Sequence, residues 1–378
     1  MKRRDFLKKA GVGAAAVAAT AVNAPAVHAK KRYNWKMVTT WPPKLPVLQD
    51  GCERLAKRIE ELSDGRIKIQ VFAGGELVPP LESFQAVSDG TVEVGSGASY
   101  YWAGKEPATQ WFAAVPFGLN CQGMSAWFYG GDGLKLWEET YAPFNLIPRP
   151  AGSTGVQMAG WFNREINSLE DLKGLKMRIP GLGGEVLRRA GGTPVNLPGG
   201  ELFTSLQSGV IDATEWVGPY NDLAFGLYKA AKHYYYPGWH EPGTTLEAII
   251  NQKAYDALPE DLQHIVTNAC RIANDEILVE YVARNNDALN TLINEHGVDV
   301  RRLPDDVLET LRSLMWELIL DANSGGEGQI QLSERQKEGV RTALTHKVAV
   351  LTGGPGTGKT TTVRTVIELL DRFKCRYA

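Results

Sequence analysis

Asn167-Ser168-Leu169-Glu170-Asp171-Leu172-Lys173-Gly174-Leu175-Lys176-Met177-Arg178-Ile179-Pro180 is the stretch that decides the fold. Ser168 can cap a helical turn, and the two acids that follow sit where free amides and the helix dipole favour negative charge. Residues 175–180 then read as a short strand ended by proline. Downstream, 184–190 reads as a helix, 191–196 leads into a strand, 201–208 reads as a helix and 211–216 as a strand. Upstream, 155–162 reads as a strand. Short strands alternating with helices predict a parallel or mixed α/β sheet.

The same rhythm fills the region before it. A strand-like run at 33–40 ends at Trp41-Pro42-Pro43. Residues 47–62 carry Leu48, Leu55, Ile59 and Leu62 at helical spacing and stop at Asp64-Gly65. Strands are expected at 67–72 and 92–95, with a helix at 77–88 between them. Residues 259–296 form one long helical stretch, with Leu262, Val266, Cys270, Ile277, Tyr281, Val282, Leu289 and Leu292 among its apolar positions. Two α/β lobes (the second at about 152–240) and a long C-terminal helix predict a bilobal binding protein. Ligands in such folds lie in the cleft, beyond the carboxyl ends of strands.

The two ends carry signals of another kind. Lys2-Arg3-Arg4-Asp5-Phe6-Leu7-Lys8, an Ala-rich run over 10–22 and Val27-His28-Ala29 follow the order of an export peptide. The paired arginines point to the twin-arginine route, with 1–29 as leader, a mature start near Lys30 and a periplasmic destination. The apolar run is shorter than the ~20 residues that span a bilayer. At the other end, Ser324-Gly325-Gly326-Glu327-Gly328 has linker composition and opens a distinct segment, 324–378.

Within that segment Gly353-Gly354-Pro355-Gly356-Thr357-Gly358-Lys359-Thr360 is a complete P-loop, with a strand pattern before it and a helix pattern after it. Gly353, Gly356 and Gly358 would let backbone amides cradle phosphates, Lys359 would reach the β/γ-phosphates and Thr360 would bind Mg2+. With Leu332-Ser333-Glu334-Arg335-Gln336 ahead of it, the segment resembles the start of a superfamily 1 DNA helicase of the exonuclease V alpha-subunit type. The resemblance implies adenine recognition by Gln336 and makes a helicase or ATPase fragment the rival functional reading. Only eighteen residues follow Thr360, without the downstream acid, arginine finger or second motor domain that phosphoryl transfer requires. ATP and Mg2+ are therefore expected only at this tail, and without hydrolysis.

The chain has 378 residues, 43% hydrophobic and 22% charged, with a net charge of -2 that conceals a split. Leader and tail are both basic, so the body at 30–323 is acidic, which argues against nucleic acid as its partner. Cys52, Cys121, Cys270 and Cys375 have no metal-type spacing. A Cys52–Cys121 bridge stays open beside the reading of both as buried small hydrophobes.

Asp64-Gly65-Arg66-Ile67-Lys68-Ile69, Gly75-Glu76-Leu77-Val78-Pro79 and Phe84-Gln85-Ala86-Val87-Ser88-Asp89-Gly90, with 167–178 and Gly209-Val210-Ile211-Asp212-Ala213-Thr214-Glu215, resemble the solute-binding proteins of TRAP transporters, the DctP family. The resemblance covers about 34–323 and implies a type II periplasmic-binding-protein fold. It also implies a receptor that hands its ligand to membrane permease subunits, and leaves a homodimer through the long helix open.

Arg178 matches the arginine that holds the family's organic acid, and its planar fork suits bidentate capture of a carboxylate. Gly155-Val156-Gln157, Arg178 and Glu215-Trp216 together resemble the branch that binds 2-oxo or 2-hydroxy monocarboxylates through a cation. That resemblance places Gln157, Glu215 and the Trp216 carbonyl on the metal, with Glu241 as a further ligand or else a solvated loop acid. Oxygen donors with carboxylate charge suit Na+ or Ca2+. Trp216 would wall the pocket, and Tyr100 or Tyr101 would bond the ligand's carboxylate or else pack in the core. A dicarboxylate or sugar acid without metal is the milder rival.

Catalysis finds little support. The six histidines fall in no His-Glu-x-x-His or His-Cys pattern, and no Gly-x-Ser-x-Gly occurs. The body is expected not to be an enzyme.

Overall fold

The computed structural model describes residues 31–323. The expected leader (1–29), the linker, and the tail residues Gln336, Gly353, Gly356, Gly358, Lys359 and Thr360 lie outside the described residues, as does Cys375. Contacts separate Met1–Tyr33 from Asn34–Ala378, and the fold is that of the second unit.

The strands are β1 (Tyr33–Thr39), β2 (Ile67–Phe72), β3 (Val94–Gly97), β4 (Leu146–Gly155), β5 (Gly160–Phe162) and β6 (Lys176–Arg178). They continue as β7 (Thr193–Val195), β8 (Ala213–Thr214), β9 (His233–Tyr236), β10 (Thr244–Asn251) and β11 (Asp299–Arg302). One sheet has the order β2-β1-β3-β10-β4 and the other β11-β9-β5-β8-β6-β7. Both are mixed: β1 and β3 run parallel while β10 is antiparallel to β3 and β4, and β6 is parallel to β7 and β8 while β5 is antiparallel to β8 and β9. Because β10 returns between β3 and β4, the chain crosses from one sheet to the other and back beside itself.

Helices α1 (Leu48–Leu62) and α2 (Ser83–Ser88) belong to the first lobe, and α3 (Gly181–Arg189) to the second. The long helix α4 (Glu260–Asn294) packs on β4, on α1 and on the short helix Pro219–Phe225, a spine along both lobes. After it β11 joins the second sheet, and α5 (Asp305–Asn323) covers that lobe's core with Leu308, Leu311 and Met315 against Met177, Leu187 and Tyr235. The first lobe's core is aromatic: Trp137 stacks on Phe112 at 5.3 Å, and Phe84, Trp102 and Tyr141 close around them. Each such side chain, fully buried, contributes roughly 1.5–3 kcal/mol. No described helix is long and apolar enough to cross a membrane.

Three expected elements differ. The strand expected at 155–162 is broken: β4 stops at Gly155 and β5 starts at Gly160, both with positive φ (66° and 122°). A Cβ at Gly160 would lie 2.4 Å from the Thr214 carbonyl, so only glycine permits that approach. The helix expected from 77 begins only at Ser83, after a 3-10 turn at Pro80–Glu82, because Pro79-Pro80 supply no amides to an earlier turn. The strand expected at 211–216 pairs only at Ala213–Thr214, which frees Glu215 and Trp216 for the cleft. Cys52, Cys121 and Cys270 are free thiols, so the Cys52–Cys121 bridge is not formed.

Candidate functional site

Ser168 and Asp171 form a reciprocal capping box, and the turn they fix delivers the chain into β6. Arg178 ends β6 opposite Thr214 of β8, one residue before Glu215. Its side chain is 1% exposed. Nε donates to the Leu197 carbonyl at 3.1 Å, Nη1 to Glu215 Oε1, and Nη2 to the Tyr101 hydroxyl of the first lobe at 3.2 Å. The Tyr101 and Trp216 rings flank the guanidinium at 5.8 and 5.4 Å. Burial works against the charge, but Glu215, Tyr101 and Tyr100 outweigh it and hold Arg178 above its ordinary pKa.

The crossings at 156–159 and 237–243 bring the other site residues together. The Gln157 amide donates to the Glu241 carbonyl at 3.2 Å, and the Gly238 amide returns to the Gln157 carbonyl at 3.0 Å. A Cβ at Gly238 would fall 2.2 Å from that carbonyl oxygen, which requires glycine. Gln157 Nε2 donates to Glu241 Oε2 at 2.7 Å and to Thr154 Oγ1 at 3.1 Å, and the Thr244 hydroxyl donates to the same carboxylate oxygen. The Tyr100 hydroxyl reaches it at 3.5 Å. Burial first, then the charge of Glu215, raises the Glu241 pKa. Burial likewise raises both tyrosines.

One oxygen of each carboxylate and the nitrogen of the Gln157 amide are thus held, and the remaining oxygen of each group is free. Gln157 Oε1, Glu215 Oε2 and Glu241 Oε1 are buried with no hydrogen-bond donor, and so are both ring nitrogens of His240. Uncompensated buried polar atoms are costly, by about 1–3 kcal/mol each. Donor atoms of Glu215, His240 and Glu241 lie within 4.8 Å of one another. Two carboxylates facing each other with free oxygens fit a cation of the hard, oxygen-preferring kind. Beside them, Trp216 sits edge-on to Trp41 at 6.4 Å and to Phe225 at 5.1 Å, an aromatic flank to the cluster.

Two further buried carboxylates hold the loops that present these groups. Glu247 on β10 accepts from Trp102 Nε1 and, at 2.8 Å, from the Tyr141 hydroxyl, fixing the segment that carries Tyr100 and Tyr101. Asp222 accepts from Trp161 Nε1 at 2.9 Å, from the Tyr234 hydroxyl at 2.8 Å and from the Val217 and Gly218 amides at 3.3 and 3.2 Å, just after Trp216. Burial raises both carboxyls to about 7.

Tyr100, Tyr101, Gln157, Arg178, Glu215, Trp216 and Glu241 therefore form one buried cluster. Glu241 is 2% exposed, so it is no solvated loop acid. Sequence reasoning missed His240, Trp41, Thr154 and Thr244. Only the adjacency of His240 to Glu241 hinted at any of them.

The family profile described as bacterial extracellular solute-binding protein, family 7, matches residues 37–324, and an AAA domain profile matches 336–377. Over 341 residues the chain is 45% identical to a monocarboxylate 2-oxoacid-binding periplasmic protein of Nostoc sp., covering 89% of this chain and 93% of that one. A TRAP periplasmic solute-binding protein of Pseudoalteromonas atlantica, solved with sodium and pyruvate, superposes with a TM-score of 0.77 at 43% identity, over 79% of this chain and 90% of that chain. A TRAP transporter solute-binding protein of Bordetella bronchiseptica, a mixed-occupancy dimer with copurified calcium and picolinate, has a TM-score of 0.77 at 38% identity, over 78% and 88%. The bilobal α/β expectation and the resemblance read from 64–90, 167–178 and 209–215 are borne out.

Proposed function

This chain belongs to the bacterial extracellular solute-binding proteins, family 7, which are extracytoplasmic receptors and not enzymes, and we propose that it closes on a small 2-oxo or 2-hydroxy monocarboxylate together with Na+ or Ca2+. The observation that carries this reading is a single buried cluster of polar side chains. There Arg178 reaches across to Tyr101 while Gln157, Glu215 and Glu241 each turn an unpartnered oxygen inward.

Arg178 offers its fork to the ligand carboxylate, with the Tyr100 and Tyr101 hydroxyls beside it, and the Trp216 indole walls the apolar end. Gln157, Glu215, Glu241 and the Trp216 carbonyl hold the cation. When bound, it supplies positive charge for the ligand's carboxylate and 2-oxygen. Pyruvate with sodium in the Pseudoalteromonas relative supports this ligand class, and calcium in the Bordetella relative supports either cation.

The receptor delivers its ligand to the membrane subunits of a TRAP transporter, after export of the folded chain by the twin-arginine leader at 1–29. Residues 30–323 form the receptor. A homodimer through α4 is supported by the exposed Val279 and Val282 on that helix and by the dimer of the Bordetella relative. The AAA match at 336–377 supports the rival reading of a P-loop helicase fragment at 324–378.

Calorimetric titration of the full chain tests the reading: pyruvate and lactate with and without Na+ or Ca2+, against Mg-ATP. Cation-dependent binding of a monocarboxylate is the expected result. Heat only with Mg-ATP would overturn it, and cation-independent binding of a dicarboxylate or sugar acid would replace the ligand class.

A further inference from the structure

We propose, resting on the cation site inferred above, that His240 is a nitrogen donor of that site, so that Glu215, His240 and Glu241 also take a first-row divalent ion such as Co2+ or Zn2+. His240 is 1% exposed, and neither ring nitrogen has a hydrogen-bond partner. Nε2 stands 3.5 Å from Glu215 Oε2, the oxygen that Arg178 leaves free.

The ring has little freedom to turn elsewhere. Trp239 packs across it at 5.4 Å and 67°, and the Gly183 backbone comes so close that a Cβ there would lie 2.9 Å from His240 Cβ. Both carboxylates are oriented from outside, Glu215 by Arg178 and Glu241 by Gln157 and Thr244, each through one oxygen. Outer hydrogen bonds that leave one inward donor per residue are what metal ligands require. Na+ and Ca2+ take oxygen donors and gain little from imidazole, whereas Co2+ and Zn2+ bind it well. A nitrogen donor converging on two carboxylates therefore widens the range of ions.

The test is Co2+ titration into the metal-free full chain, without organic acid, read by visible absorption and calorimetry, for the wild type, His240→Gln and His240→Asn. One equivalent of Co2+ is expected in the wild type. His240→Gln should weaken it by roughly tenfold or more while leaving Ca2+ affinity within about threefold. Absence of Co2+ binding overturns the proposal, as does Co2+ binding unchanged in His240→Gln, which would place the ion away from this imidazole. Equal loss of Co2+ and Ca2+ in both variants overturns it too, because the imidazole would then only prop Glu215. If His240→Gln does not fold, His240→Asn carries the comparison. Failure of the receptor reading shows separately, as no pyruvate heat with Na+ or Ca2+.

Discussion

Arg178 and Glu215 face each other from adjoining strand ends of the second sheet, 1% and 0% exposed, with Nη1 donating to Oε1. A buried pair of this kind is weak evidence for stability, yet removing one partner strands the other's charge. The pair also holds Arg178 ready: Nη2 reaches only the Tyr101 hydroxyl, a neutral partner that a carboxylate can displace.

Arg178→Ala should therefore abolish organic-acid binding and destabilise the protein by about 3–5 kcal/mol, because Glu215 is left uncompensated. Arg178→Lys keeps a charge and loses the fork, so its melting temperature should recover more than its affinity. Calorimetry beside thermal melts separates the two effects. Ligand affinity unchanged in both variants would remove Arg178 from the site.

Tyr101 accepts from Arg178 and keeps its own hydroxyl proton free, so it can donate to an incoming carboxylate. Tyr101→Phe should weaken the monocarboxylate by about 1.5–3 kcal/mol, the range for a hydrogen bond to a charged group. Tyr100 makes one long contact of 3.5 Å to Glu241, and Tyr100→Phe should cost less. The reverse order, in parallel titrations, would exchange their roles.

Burial first, and then the charge of Glu215, already pushes Glu241 toward protonation. Glu241→Gln removes that repulsion, so the metal-free protein should melt higher than the wild type. It should also lose the stabilisation that saturating Ca2+ gives, about 2.7 kcal/mol at one hundred times Kd. Melts in chelator and in Ca2+ read both. A variant that keeps its Ca2+ response would exclude Glu241 as a ligand.

Much of this site could be read from the chain because its parts lie in short, rigid segments. Ser168 to Asp171 fix a turn, Gly174 resets the chain, and four residues later Arg178 is placed by a strand that proline ends. The elements that failed were those whose limits depend on tertiary contacts. Residues 155–162 look like one strand, and only the approach of Gly160 to the Thr214 carbonyl breaks it. That break creates the crossing where Gln157 meets Glu241. His240 escaped notice for the same reason: its significance is a distance to Glu215, twenty-five residues away, that no local pattern encodes.

Glu247 gives the pH dependence. It is fully buried, receives only neutral donors from Trp102 and Tyr141, and burial raises its carboxyl from 4.5 to about 7. Between these values the native protein binds a proton that the unfolded chain has released, so stability falls as pH rises through that window. The contribution is complete below pH 4.5 and lost near pH 7, an effect on the order of 3 kcal/mol. Glu247→Gln cannot ionise, and its amide oxygen still accepts from Trp102 while Tyr141 turns to accept from the amide nitrogen. Its stability should therefore decline less than that of the wild type between pH 5 and 7, with the crossover near neutrality. Asp222, raised to about 7 by the same burial, keeps part of the slope in the variant. Denaturant titrations across that range check it, and parallel curves for the two proteins would show that Glu247 is ionised throughout.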